Sequence, residues 1–236
     1  MDDLLGPLAD EDWDRPVPPC PGWTVADVVL HLAQTNEMAT ASASGRLEAA
    51  GEVWVGEPGA TVDDMAADAV DRERGAVPGD LLDRWRRGAS DMVRAFEACD
   101  PAARVPWAVG DMAARTLATT RIAEGWIHTG DVAVALDVLV EPTDRLWHIA
   151  RLVHRTVPYA FDRAGQGPPG PVRFELTPPG GGDPWVFGDD GAPTTVRGPA
   201  LDLCRVAGQR ATAAETALRA DGPDADDVLR LVRTFA

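Results

Sequence analysis

Residues 121–136, RIAEGWIHTGDVAVAL, place Glu124, His128 and Asp131 at i, i+4 and i+7. On a helix these three share one stripe, with neighbouring Cβ atoms roughly 5–6 Å apart. Around the stripe the segment is apolar: Ile122, Trp126, Ile127, Val132, Val134 and Leu136, with few charges after Arg121. The apolar pattern predicts a helix over 112–139, and a helix apolar on nearly all sides lies in a core. A carboxylate and an imidazole are costly there unless paired or metal-bound. For Glu124 and His128 three readings stay open: a buried Glu–His hydrogen bond, a polar stripe facing another helix's charges, or a shared ion.

A second stretch, PGWTVADVVLHLAQTNEMATAS (21–42), supplies a helix that can meet the first. Thr24 is a good N-cap, and Asp27 three residues on approximates a capping box. Val25, Val28, Val29, Leu32, Asn36 and Ala39 follow i, i+3, i+4, i+7 spacing, which predicts one buried face. His31 lies at the edge of that face, beside Val28 and Leu32. Alone it reads as a core histidine. Brought against Glu124 and His128 in a bundle, it completes a His₂Glu set with one position open, the ligand pattern of a catalytic zinc. Asp131, one turn beyond His128, can orient a ligand, bind substrate or sit in solvent. His148 and His154 are six residues apart, share no face, and read as structural or surface residues.

The remaining pattern divides the chain. Residues 1–165 read as helical, with a Gly/Pro-rich break at GEVWVGEPGA (51–60) and helices near 61–76, 79–98 and 143–164. In the last of these Leu146, Ile149, Val153, Val157 and Phe161 point inward. Long helices of this kind pack as a bundle. GQGPPGP (165–171) marks a boundary by composition. In 172–236, Val172, Phe174 and Leu176 alternate with Arg173, Glu175 and Thr177, which is strand periodicity. WVF (185–187) and TTVR (194–197) read as two further strands. Gly198-Pro199 opens a helix with Pro at its first position, and Ala200, Leu203, Cys204 and Ala207 form its inner face. A last helix sets Val228, Leu231, Val232 and Phe235 on one stripe. The expected fold class is α+β in two domains, a helical bundle over 1–165 and a small α/β domain over 172–236.

Composition narrows the functions. The chain has 236 residues, 45% hydrophobic and 25% charged, with a formal net charge of −16. A surface this acidic repels polyanions, so nucleic acid is not an expected partner. No apolar run reaches spanning length, and the acidic start MDDLLGPLADEDWD carries no secretory pattern. The expected location is cytoplasmic, without membrane association. All basic residues are Arg, a bias of GC-rich bacterial genomes. Cys20, Cys99 and Cys204 are odd in number and widely spaced, which fits a reduced protein and excludes a four-Cys zinc site. Cys20, before a Pro-Gly turn, reads first as a small buried filler and second as a reactive thiol.

PGWTVADVVLHLAQ resembles the opening helix of the mycothiol-dependent maleylpyruvate isomerase family, within the DinB-like metal-binding superfamily. The first metal ligand of that superfamily is the His of such a PGW…HL segment. EGWIHTGDVAVAL resembles the family's E-x-x-x-H-x-x-D helix, which supplies the second and third. The resemblance implies a DinB-like four-helix bundle binding one divalent metal through His31, Glu124 and His128. It implies zinc first, with iron, nickel or manganese compatible. The C-terminal part is similar to the family's smaller, sterol-carrier-like α/β domain, and GPALDLCRVAGQR (198–210) resembles its closing pattern. There an arginine is needed for activity in the characterised isomerase; Arg210 is the matching candidate, with Arg205 second.

The implied partners are a low-molecular-weight thiol, mycothiol in actinobacteria, and a small electrophile. A coordinating cation deprotonates a thiol that is otherwise mostly protonated at neutral pH. The thiolate adds to the electrophile; elimination then gives an isomerase, and retention of sulfur an S-transferase. An arginine fork would pin a substrate carboxylate. Two rivals accompany this reading. One is metal-assisted hydrolysis with Asp131 or another carboxylate as base. The other is a non-catalytic metal- or small-molecule-binding protein of the same fold. The expected state is a monomer or homodimer.

Overall fold

A computed structural model describes residues 1–47 and 61–234. The 51–60 break and Phe235 lie outside the described residues. Among them the fold is α+β, with eight α-helices and two small sheets. The chain groups into two compact units, Met1–Arg121 with His128–Leu139, and Ile122–Ile127 with Val140–Ala236.

In the first unit, α1 (Asp2–Leu5) and a 3₁₀ turn (Asp10–Asp14) precede α2 (Val25–Ala43), α3 (Val62–Glu73) and α4 (Pro78–Ala98). The N-terminus of α2 is fixed as its sequence predicts. Thr24 Oγ1 accepts from the Asp27 backbone N–H, and Asp27 Oδ2 accepts from the Thr24 backbone N–H at 2.9 Å. Thr61 and Asp64 repeat the device on α3, and Pro78 opens α4. The core gathers Leu5, Trp13, Val17, Val25, Val28, Val29, Leu30, Val70, Leu81 and Val132. Arg84 of α4 ties three helices, forking onto Glu37 of α2 at 2.7 and 2.8 Å and reaching Glu73 of α3 at 2.5 Å.

This part is not wholly helical. A two-residue antiparallel pair, β1 (Arg104–Val105) and β2 (Met112–Ala113), stands before α5 (Ala114–Ala135). The predicted helix over 112–139 therefore starts later, because Met112 pairs with Val105, and it stops earlier at Leu136. The roles of the two ligand-bearing helices also differ from the periodicity. α2 is buried around most of its circumference, Leu30, Ala33, Gln34 and Met38 included, because α3, α4 and the 3₁₀ turn all pack on it. α5 instead exposes Ile122 and Val134.

In the second unit, α6 (Leu146–Arg163) buries all five of its predicted inward residues. Its apolar face joins the core beneath the sheet, so the units divide before α6 and not at 165–171. The sheet runs β4 (Trp185–Phe187), β3 (Val172–Thr177), β5 (Thr194–Pro199), β6 (Arg219–Asp221). β3 and β5 are parallel, Phe174 opposite Val196, and the outer strands are antiparallel. The predicted alternation of β3 holds, with Phe174 and Leu176 fully buried. β6 is an addition to the three predicted strands. Pro199 caps α7 (Ala200–Ala207) from outside, one residue before its predicted place. α8 (Ala225–Leu231) buries Val228 and Leu231.

Candidate metal centre

α2 and α5 bring His31 and His128 together. Their rings meet edge to face with centroids 5.1 Å apart. Glu124, half-buried one turn before His128, adds a carboxylate oxygen on the same stripe of α5. One ligand atom from each of His31, Glu124 and His128 lies within 4.8 Å of the others. Both histidines are buried, at 5% and 8% exposure. Two imidazoles and a carboxylate converging in a buried place is the donor set that a divalent ion satisfies.

Asp131 does not face solvent. It is 2% exposed, and its Oδ2 lies 2.9 Å from His128 Nδ1. A carboxylate only accepts, so Nδ1 carries the proton and donates it. The lone pair is then on Nε2, the tautomer required of a ligand that coordinates through that atom. Burial removes the solvent-facing reading of Asp131, and its carboxylate lies against the His128 imidazole.

Cys20 packs against the core of the first unit, as the filler reading expects, though it is only partly buried and also makes polar contacts. Cys20 is half-buried, and its thiol donates to the same Asp131 Oδ2 at 3.3 Å, with Sγ 3.9 Å from His128 Nδ1. It stands in the loop PVPPCPGWT (16–24), whose four prolines limit its freedom. The loop is closed by backbone bonds from Val17 N to Trp23 O at 2.9 Å and from Val25 N to Arg15 O at 3.0 Å. Gly22 takes φ +83° in the turn, which favours glycine. The same loop sets Trp23 against His31, centroids 5.2 Å apart. Sequence reasoning missed both contacts. The available signal was Cys20 and Trp23 flanking Pro-Gly, directly ahead of a helix bearing a candidate ligand.

One turn away, buried Arg121 of α5 donates to Thr35 Oγ1 of α2 at 2.7 Å, with its guanidinium 5.9 Å from the Trp107 ring centroid. The two histidines set aside are elsewhere, as expected. His154 Nε2 donates to Val172 O at 3.0 Å and its ring packs on Phe174, while His148 is exposed. Arg205 is exposed in the last turn of α7, close enough to Glu215 to help hold that carboxyl below its usual range, after the larger effect of hydrogen bonds from Thr212. Arg210 follows that helix, half-buried, donating to Gly208 O at 3.0 Å. Both arginines belong to the second unit.

Over its full length the chain is 34% identical to uncharacterised proteins from two strains of Mycobacterium tuberculosis, across 91% of their length. It is similar in fold to the crystal structure of the mycothiol-dependent maleylpyruvate isomerase, with a TM-score of 0.50, and to that of its histidine-to-alanine mutant, with 0.55. Each match covers 95% of this chain and 89% of the other at 17% identity. Residues 1–133, which hold the loop, α2 and every donor of the candidate centre, match the model of the mycothiol maleylpyruvate isomerase N-terminal domain. The chain belongs to that family.

Proposed function

We propose that the chain is a metal-dependent isomerase or S-transferase that uses a low-molecular-weight thiol, mycothiol, on a small electrophile bearing a carboxylate. The observation that carries the reading is the convergence of His31, Glu124 and His128, buried, with one imidazole already oriented by Asp131. These three residues would hold the ion. Zinc suits the His₂Glu set best, and iron, nickel or manganese are the alternatives. A divalent ion bound there supplies a Lewis-acidic position at which a thiol is held as thiolate near neutral pH.

The chain's own residues do the rest. Asp131 keeps the His128 proton on Nδ1 and fixes the ring. Trp23, held in the proline-rich loop, packs its ring against His31. Arg210, or failing it Arg205, offers a planar fork to a substrate carboxylate. In this reading the helical part is a DinB-like four-helix bundle and the C-terminal part is sterol-carrier-like. The family membership and the fold likeness support it. A hydrolase with Asp131 as base is less favoured, since Asp131 already accepts from His128 and Cys20.

The test is elemental analysis of the purified chain, followed by calorimetry with mycothiol and with a simple thiol. One metal ion per chain is expected, with mycothiol binding that chelation abolishes. His31→Ala and Glu124→Ala should lose both metal and turnover. A metal-loaded chain that binds no thiol, or full activity in those two variants, overturns the reading.

A further inference from the structure

Cys20 is the donor that the proposed function leaves unused. Its Sγ, His128 Nδ1 and Asp131 Oδ2 are separated by 3.9, 3.3 and 2.9 Å, and all lie within 4.8 Å of one another. The three residues form a thiol–imidazole–carboxylate set on the far nitrogen of the imidazole that the His31–Glu124–His128 set requires. Cys20 is the solvent-side member, half-buried, whereas His128 and Asp131 are buried. The closed, proline-rich loop holds the thiol in place, so no rearrangement of the backbone is needed to present it.

We propose that Cys20, His128 and Asp131 form a second ion position, one selective for thiophilic divalent ions such as cadmium, and that it competes with the His31–Glu124–His128 set for His128. The sulfur donor tilts the preference towards soft ions, which the nitrogen and oxygen donors of the first set do not. An ion there displaces one proton to solvent, from Sγ–H, while the imidazole proton passes from Nδ1 to Nε2, so the neutral ring cannot serve the first set at the same time. It thereby takes the place of the hydrogen bond that orients His128. Binding stands on these three residues alone. Only its consequence, inhibition by soft metals, rests on the function proposed above.

The experiment titrates the purified full chain with cadmium chloride and follows the ultraviolet thiolate-to-cadmium charge-transfer band. The wild type and Cys99→Ser should show the band saturating at one cadmium per chain. Cys20→Ser should lose it, and Asp131→Asn should shift the midpoint upward by at least about tenfold, the least that losing even an outer carboxylate partner of a ligand costs. Glu124→Gln should retain the band, because that carboxylate belongs only to the first set. No band in the wild type, or an unchanged band in Cys20→Ser, overturns the assignment. A chain that shows the band yet retains no zinc would refute the metal-centre reading and leave this one standing.

Discussion

Removing the Asp131 carboxylate should weaken metal binding in a graded way. In the native chain His128 Nδ1 donates to Oδ2 at 2.9 Å in a place 2% exposed, with the Cys20 thiol on the same oxygen. A hydrogen bond to a charged group contributes about 1.5–3 kcal/mol and a neutral one about 1. Asp131→Asn keeps an acceptor but loses the charge, which gives a loss of about 1 kcal/mol, roughly fivefold in affinity. Asp131→Ala removes the acceptor and frees the ring to turn. Loss of an orienting partner of this kind costs about 10–100-fold, or roughly 1.4–2.7 kcal/mol. Competition against a chromophoric zinc chelator at neutral pH gives the dissociation constants. Thermal melts of the metal-free proteins separate the effect from misfolding. The expected order of affinity is wild type, Asn, Ala. An Ala variant that folds and binds zinc within twofold of wild type would refute the orientation argument.

Three further outcomes follow from other parts of the chain. Burial alone would raise the Glu73 carboxyl, but hydrogen bonds from Arg84 and Gln34 outweigh it and hold it below its usual range. Its stabilising contribution is therefore present above the ordinary Glu pKa and lost as pH falls through the lowered value. Glu73→Gln should reduce the urea midpoint at pH 7, by under about 1 kcal/mol because the pair is partly exposed, and the gap to wild type should close in acid. A gap that persists unchanged in acid would contradict this. Phe174→Ala should cost about 3–5 kcal/mol in denaturant unfolding, since the ring is wholly buried between α6 and the sheet; a loss under 1 kcal/mol would show that the core there is loose. Burial drives the Cys204 thiol pKa upward, so a thiol reagent should modify Cys20 and Cys99 in the native chain and Cys204 only in denaturant, against which equal labelling of all three would count.

Local chemistry was legible in the sequence. The Thr24–Asp27 capping box, the alternation of β3 and the single stripe of Glu124, His128 and Asp131 depend on neighbours within one or two turns. What the sequence did not disclose depends on partners far along the chain. The apolar pattern assigned the central position to α5, yet α2 is the more enclosed helix, because burial of Leu30, Ala33 and Met38 is set by which helices pack around them. β6 carries Arg219, Ala220 and Asp221, with no alternation to announce it; pairing with β5 makes it a strand. The polar contacts of Cys20 are hidden for the same reason, although its packing against the core fits its type. Its surroundings are set by Asp131, 111 residues away.

That separation bears on when the centre forms during folding. Glu124 and His128 become neighbours as soon as one turn of α5 winds, within the time of helix formation. Cys20 meets His128 and Asp131 only after 108 and 111 residues are brought back on themselves. Closing a loop of that length costs on the order of 4 kcal/mol of chain entropy. Under the proposed function, an ion that needs both the N-terminal segment and α5 would therefore bind late rather than template the fold. An isolated α5 peptide should hold metal weakly through two ligands, and full affinity should arrive late, with the docking of the N-terminal segment. In that reading, metal uptake during refolding would serve as a clock for this long-range closure of the chain.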